Sequence, residues 1–228
     1  METGYSRKEA TIEVCVFLFL IVPSLALSFF VGGGSERRLD FTFLAVSTIF
    51  RDLALVSLIF FFLWRNGEPV RALGWRYQAL DTDILLGFVL YLPFVTVISV
   101  VEQLLRAAGL TAPAQPGSSF FRLQGQGDLA LAVVLVIVVA ISEETIFRGY
   151  LTLRLRAATG STPAAVVLAS VIFALGHGYE GSLGVVTIGV MGLLLNLIYL
   201  WRKSLVAPIV MHFIQNFIAI ILVRHLAQ

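Results

Sequence analysis

Seven long apolar runs decide what this chain can fold into. A helix needs about 20 mostly apolar residues to cross a bilayer. Runs of that kind lie roughly at Val14–Val31, Thr42–Trp64, Ile84–Leu105, Leu129–Leu153, Pro163–His177, Leu183–Trp201 and Leu205–His225. Breakers separate them. Gly32-Gly33-Gly34-Ser35 ends the first run, Asn66-Gly67-Glu68-Pro69 follows the second, and a Pro/Gly/Gln/Ser stretch spans Thr111 to Gly127. Thr159-Gly160-Ser161-Thr162-Pro163 reads as a helix stop, then an N-cap with Pro at the first helical position. The runs lack period-2 alternation and are too long for barrel strands. The expected fold is therefore all-α, a polytopic transmembrane helical bundle of about seven spans, with an eighth left open. Residues 1–228 form a single integral membrane domain.

Composition closes off the other classes. Only 13% of the residues are charged, about half the share of a soluble domain, so a water-facing coat is out of reach. The net charge is +2 and the basic residues form no cluster, which argues against a nucleic-acid partner. The single Cys15 cannot make an internal disulfide, and its apolar setting predicts a buried, inert thiol. The first run lacks a small-residue cleavage site and reads as a retained anchor. With seven spans, Arg7, Lys8, Arg65, Arg71, Arg76, Arg154, Arg156, Arg202 and Lys203 share one side. Arg37, Arg38, Arg106, Arg122 and Arg224 share the other. That bias places the N-terminus in the cytoplasm, in a plasma (inner) membrane protein.

Ionisable groups at membrane depth cost several kcal/mol unless paired or hydrated, so each is a functional candidate. Here they are Arg51, Asp52, Glu102, Glu143, Glu144, Arg148, His177 and His212, joined by the amides Asn196 and Asn216. Glu144 and Arg148 are four apart, share a helix face and can pair. That leaves Glu143 as the excess carboxylate, about 100° round the helix, and a candidate general base. Gly176 and Gly178 flank His177 and let the fifth run unwind there. His212 and Asn216 are again four apart on one face. Arg51 and Asp52 are adjacent and do not face each other on a helix, so each is expected to pair with another helix. Glu102 can reach the interface, and Asn196 reads as interhelical glue. The acid pair and the two histidines suit a shared catalytic or metal site.

Glu143-Glu144-x-x-x-Arg148, Phe173-x-x-x-His177 and His212-x-x-x-Asn216, in this order and each in an apolar run, resemble the three motifs of the CPBP intramembrane proteases. That family is also called the CAAX-protease and bacteriocin-processing, or Abi, family. It includes the Ras-converting CAAX endopeptidases. The resemblance spans Glu143 to Asn216, with the motifs inside 129–225, and does not reach the first three runs. It implies an intramembrane endopeptidase cutting a membrane-associated or lipidated protein or peptide. Glu143 would activate a water shared with His177. His212 and Asn216 would hold the scissile carbonyl and its oxyanion, and Arg148 would organise the acid pair. A divalent metal stays open: Glu143, His177 and His212 could form a zinc site of the His₂Glu kind. The metal-free general base is preferred, because Asn216 is a poor zinc ligand and a good oxyanion donor. A transporter or ion relay would call for repeated halves, and no such symmetry is present. A non-catalytic scaffold would be expected to lack a motif residue, and none is missing.

Overall fold

A computed structural model describes residues 6–31, 41–76, 78–112 and 125–222. Seven helices make up these residues: α1 (Arg7–Val31), α2 (Phe41–Arg65), α3 (Leu80–Ala107), α4 (Gln126–Thr159), α5 (Thr162–Leu175), α6 (Gly181–Arg202) and α7 (Val206–Phe217). They coincide with the seven apolar runs. Five of them, α1 to α4 and α6, are long and apolar enough to cross a membrane, whereas α5 and α7 are shorter apolar helices. No strand occurs among the described residues. Outward-facing Phe19, Phe30 and Trp64 are more than three-quarters exposed. Apolar side chains covering the outside as well as the core are what a lipid solvent selects. The acidic-poor, Leu/Val/Phe-rich runs leave helix as the backbone's means of satisfying its own polar groups in hydrocarbon.

The bundle packs α2 on α4, α3 on α7, α5 on α6, and α1 against the C-terminal turns of α4. Its main core gathers Phe17, Ile59, Leu63, Tyr150, Leu151 and Phe173. Close approach is made possible by glycine. A Cβ on Gly87 of α3 would stand 2.6 Å from Val210 Cβ of α7, and one on Gly149 would stand 3.0 Å from the Leu73 carbonyl. Polar links tie α6 to its neighbours: Thr152 donates to Asn196 Oδ1 (2.9 Å), and Asn196 Nδ2 donates to Ser170 Oγ (3.3 Å). Asn196 is thus the interhelical glue that its setting suggests.

Contacts at the two ends show an up-and-down arrangement. At one end Arg7 donates to the Thr159 carbonyl, Leu205 N–H donates to the Gly74 carbonyl (3.1 Å), and Arg202 pairs with Asp83 (2.8 Å). At the other, Ser28 Oγ donates to the Leu175 carbonyl (3.0 Å) and accepts from Gly178 N–H (3.1 Å). The nine Lys/Arg assigned to one side therefore do share one end with their helices.

Three expectations are corrected. Cys15 is exposed, not buried: α1 turns Ala10, Val14, Phe17 and Ile21 inward, and Cys15 lies off that stripe. The fourth run does not stop at Leu153, because its helix continues to Thr159. Arg154 is accordingly not a free loop cation. It is buried between Glu13 of α1 and Glu68 after α2, both of which accept from it, and Asn66 Nδ2 also donates to Glu13 Oε1 (3.1 Å). Asn66 and Glu68 lie in the breaker that ends the second run, so a segment read as a spacer is part of a buried polar lock. The Gly32–Ser35 break, most of the Thr111–Gly127 loop, and Arg37, Arg38, Arg122, Arg224 and His225 lie outside the described residues.

Because Arg154 neutralises two buried carboxylates at once, Arg154→Ala should destabilise the bundle by about 3–5 kcal/mol. Adding Glu13→Gln and Glu68→Gln should recover part of the loss. Thermal unfolding in detergent reads both, and a single variant as stable as the parent would show that the cluster does not hold the helices together.

Candidate active site

The site begins at a change of helical pitch. From Glu144 to Leu151, α4 winds as a π-helix, and all eight of those residues are buried. A wide turn of this type re-aims the side chains around it and is common at functional sites. Here it separates two adjacent acids. Glu144 points inward and is fully buried, while the side chain of Glu143 keeps 13% of its surface open.

Glu144 is shared by two cationic or proton-bearing groups. Arg148 Nη1 stands 2.9 Å from Glu144 Oε1, the ion pair expected from their spacing. His212 Nδ1 donates to the same oxygen (2.7 Å). The Arg148 nitrogens find no aligned hydrogen-bond acceptor among the described residues. The contact is thus a charge pair rather than a directed hydrogen bond. The guanidinium is held also by the face of Phe173, 4.3 Å from the ring centre, a cation–π contact strengthened by burial.

Phe173 sits at the centre of the cluster. Its ring lies 4.9 Å from the His177 imidazole and 6.1 Å from that of His212. Phe147 packs edge-on against it at 5.0 Å. Helix α5 ends at Leu175, and His177 follows outside the helix, as its flanking glycines suggest. His177 Nδ1 lies 3.0 Å from the Phe173 carbonyl. A carbonyl can only accept, so Nδ1 carries the proton and Nε2 holds the lone pair of the neutral ring.

Glu143 faces the other edge of His212. Its Oε2 is 3.7 Å from His212 Nε2 and has no hydrogen-bond partner among the described residues. That is too long for a direct hydrogen bond and suits one water touching both atoms. Asn216 lies one turn beyond His212 in α7, half-buried. α7 is fixed against α3 by Gly87 and by Tyr91, whose hydroxyl donates to Gln215 Oε1 (3.0 Å).

The structure thus brings Arg148, His177 and His212 around the Phe173 ring, with Glu144 and Glu143 facing the two nitrogens of His212 and Asn216 on the same helix face as His212. As a metal centre the set fits poorly. Among the described residues no three His, Cys, Asp or Glu side chains converge as ligands. A cleft of about 740 Å³ lined by Pro69, Arg71, Trp75 and Arg76 contains none of these side chains.

Two groups near the site were not expected there. Arg51 and Asp52 pair with each other instead of with other helices, through Arg51 Nε and Nη2 to Asp52 Oδ1 (2.9 and 2.8 Å). The arginine side chain is long enough to fold back over the helix, which a rule based on adjacent Cβ directions does not allow for. Both lie within coulombic range of Glu143. Tyr179, its ring 5.8 Å from His177, is the other; its place two residues after His177 was the available signal.

Residues 125–218 match the family model for Rce1-like type II CAAX prenyl endopeptidases. Among curated proteins and among solved structures nothing matches the chain. Over that segment the chain is similar to the Rce1-like family, in line with the resemblance carried by its three motifs. The matched segment takes in α4 to α7 and every motif residue, and leaves out α1 to α3.

If Glu144 is the shared anchor, Glu144→Ala and Arg148→Ala should each cost about 3–5 kcal/mol, since either strands a buried charge. The double variant should lose less than the sum. Strict additivity of the unfolding free energies in a double-mutant cycle would show that the two side chains are not coupled.

Proposed function

We propose that the chain is an intramembrane endopeptidase in which Glu143 activates a water for attack on a peptide bond. The family supplies the reaction class, that of a CAAX-type endopeptidase in a multi-pass membrane protein. The observation that carries the finer reading is Glu143: its Oε2 lies 3.7 Å from His212 Nε2 without a hydrogen-bond partner among the described residues, and 13% of the side chain is exposed. An uncommitted carboxylate at this depth has no packing purpose, and hydrolysis in a membrane needs a water held against a base.

In this reading Glu143 takes the proton of the water. The Nε2 lone pair of His177, set by its Nδ1–H bond to the Phe173 carbonyl, shares that water. Attack on the carbonyl carbon places negative charge on the carbonyl oxygen. The Asn216 amide stabilises it, together with His212, which donates from Nε2 when protonated and is steadied in that form by Glu144 at Nδ1. The proton held by Glu143 then passes to the leaving amine, and the peptide bond breaks. Arg148 and Glu144 do not touch the substrate; they position His212. The residues do not present a three-ligand metal set, and no step runs through one. The substrate is a membrane-associated protein or peptide. The Lys/Arg-rich end lies in the cytoplasm by the positive-inside rule, which puts the N-terminus there.

Glu143→Gln and His177→Ala should abolish cleavage of a prenylated CAAX peptide by the purified protein while leaving expression and thermal stability near the parent. Near-parental turnover by either variant would overturn the general-base assignment. Activity insensitive to chelators is expected, and loss on chelation restored by zinc would replace the metal-free reading.

A further inference from the structure

Each of the three tryptophans is followed by an arginine: Trp64-Arg65, Trp75-Arg76 and Trp201-Arg202. All three pairs lie at the Lys/Arg-rich end of the bundle, at the end of α2, in the segment between α2 and α3, and at the end of α6. Tryptophans so placed mark the depth of the lipid headgroups. At that depth the segment between α2 and α3 holds the cleft of about 740 Å³, lined by Pro69, Val70, Arg71, Trp75, Arg76 and Gln78. Its volume falls in the range of about 300–1,000 Å³ usual for small-ligand sites.

The lining is basic and uncompensated. Arg71 and Arg76 are both exposed, and neither has an ion-pair partner among the described residues. Of the carboxylates nearest to them in the sequence, Glu68 is held by Arg154 and Asp83 by Arg202, while the exposed Asp81 does not line the cleft. Trp75 adds a donor, since its Nε1–H is buried without an acceptor among the described residues. Two guanidinium forks and an indole N–H are donors only. Arginine forks match the oxygens of a phosphate, and Pro69 and Val70 add an apolar wall.

The group that supplies phosphate at headgroup depth is the phospholipid itself. We infer that this cleft binds the headgroup of an anionic phospholipid, with Arg71 and Arg76 on its phosphate. The lining segment is also joined to the bundle. Between the two arginines, the Leu73 carbonyl stands against Gly149 of the π-helical stretch of α4, and the Gly74 carbonyl accepts from Leu205 N–H just before α7. A bound headgroup therefore steadies a brace between α4 and α7 and stabilises the folded chain by mass action. The cleft shares no residue with the Glu143 cluster, and its binding is measurable whether or not the chain cleaves peptides.

The experiment uses the full chain in detergent with added dioleoyl phosphatidylglycerol, dioleoyl phosphatidylcholine or inorganic phosphate. Native mass spectrometry gives the Kd for each lipid, and thermal unfolding gives the stabilisation. Phosphatidylglycerol should bind and raise the unfolding temperature. Phosphatidylcholine, whose phosphate is offset by its own cation, should bind roughly thirtyfold more weakly, at about fivefold per arginine. Inorganic phosphate should leave the unfolding temperature unchanged. Arg71→Gln/Arg76→Gln should lose the same thirtyfold for phosphatidylglycerol, and each single variant about fivefold, so the singles carry the test if the double variant does not fold. Lys8→Gln/Arg65→Gln removes the same charge from exposed positions outside the cleft and should keep most of the binding. Phosphatidylglycerol binding unchanged in the cleft variants would overturn the inference. So would an equal loss in Lys8→Gln/Arg65→Gln, which would reduce the effect to the general charge of this end. Equal binding of the two lipids would remove the preference for an anion, and stabilisation by inorganic phosphate alone would assign the cleft to a soluble phosphate instead of a lipid.

Discussion

One buried carboxylate oxygen organises this molecule's polar interior. Glu144 Oε1 accepts the charge of Arg148 from the next turn of its own helix and the Nδ1–H of His212 from α7. A bare carboxylate in that setting would cost several kcal/mol. Each partner compensates it, and each is in turn fixed by it. The charge pair lets Arg148 lie buried against Phe173, and the histidine bond fixes the rotation of the His212 ring. With that ring fixed, its second nitrogen faces Glu143, whose Oε2 has no hydrogen-bond partner among the described residues. The chemistry of the site is a consequence of which acid was neutralised.

The rest of the fold keeps three helices close enough for that sharing. Gly87 brings α7 against α3, Asn196 joins α6 to α4 and α5, and Arg154 locks α1 and the end of α2 to the last turns of α4. These are small residues and polar bonds rather than bulkier apolar side chains. In lipid the apolar surface gains little from leaving one apolar neighbour for another, so close backbones and interhelical hydrogen bonds carry the specificity.

What the sequence made legible follows from that solvent. Helix number and order were readable, because each span announces itself by length and hydropathy. The pairing of Glu144 with Arg148 was readable from a spacing of four, and the unwinding at His177 from its glycines. The partner of His212 was not, since nothing in a linear pattern says which acid across the bundle its ring will meet. The π-helical turns were hidden as well, because Glu144–Leu151 carries no breaker to mark the change of pitch. Arg51 and Asp52 were misjudged by a rule that follows Cβ directions, whereas a long guanidinium can reach round the helix. Cys15 was placed inside because an apolar run reads the same on its lipid face and its packed face, and only the neighbouring helices distinguish them.

The account depends most on where the protons sit on two imidazoles. Nitrogen-15 NMR of the histidine-labelled protein in detergent would read them directly, with His177→Gln and His212→Gln used only to assign the signals. Both Nδ1 atoms should be protonated, that of His177 by its bond to the Phe173 carbonyl and that of His212 by its bond to Glu144. In Glu144→Gln the His212 signals should move while those of His177 stay. An Nε2–H tautomer on either ring of the parent protein, or a His212 spectrum indifferent to Glu144→Gln, would contradict the arrangement from which the chemistry was built.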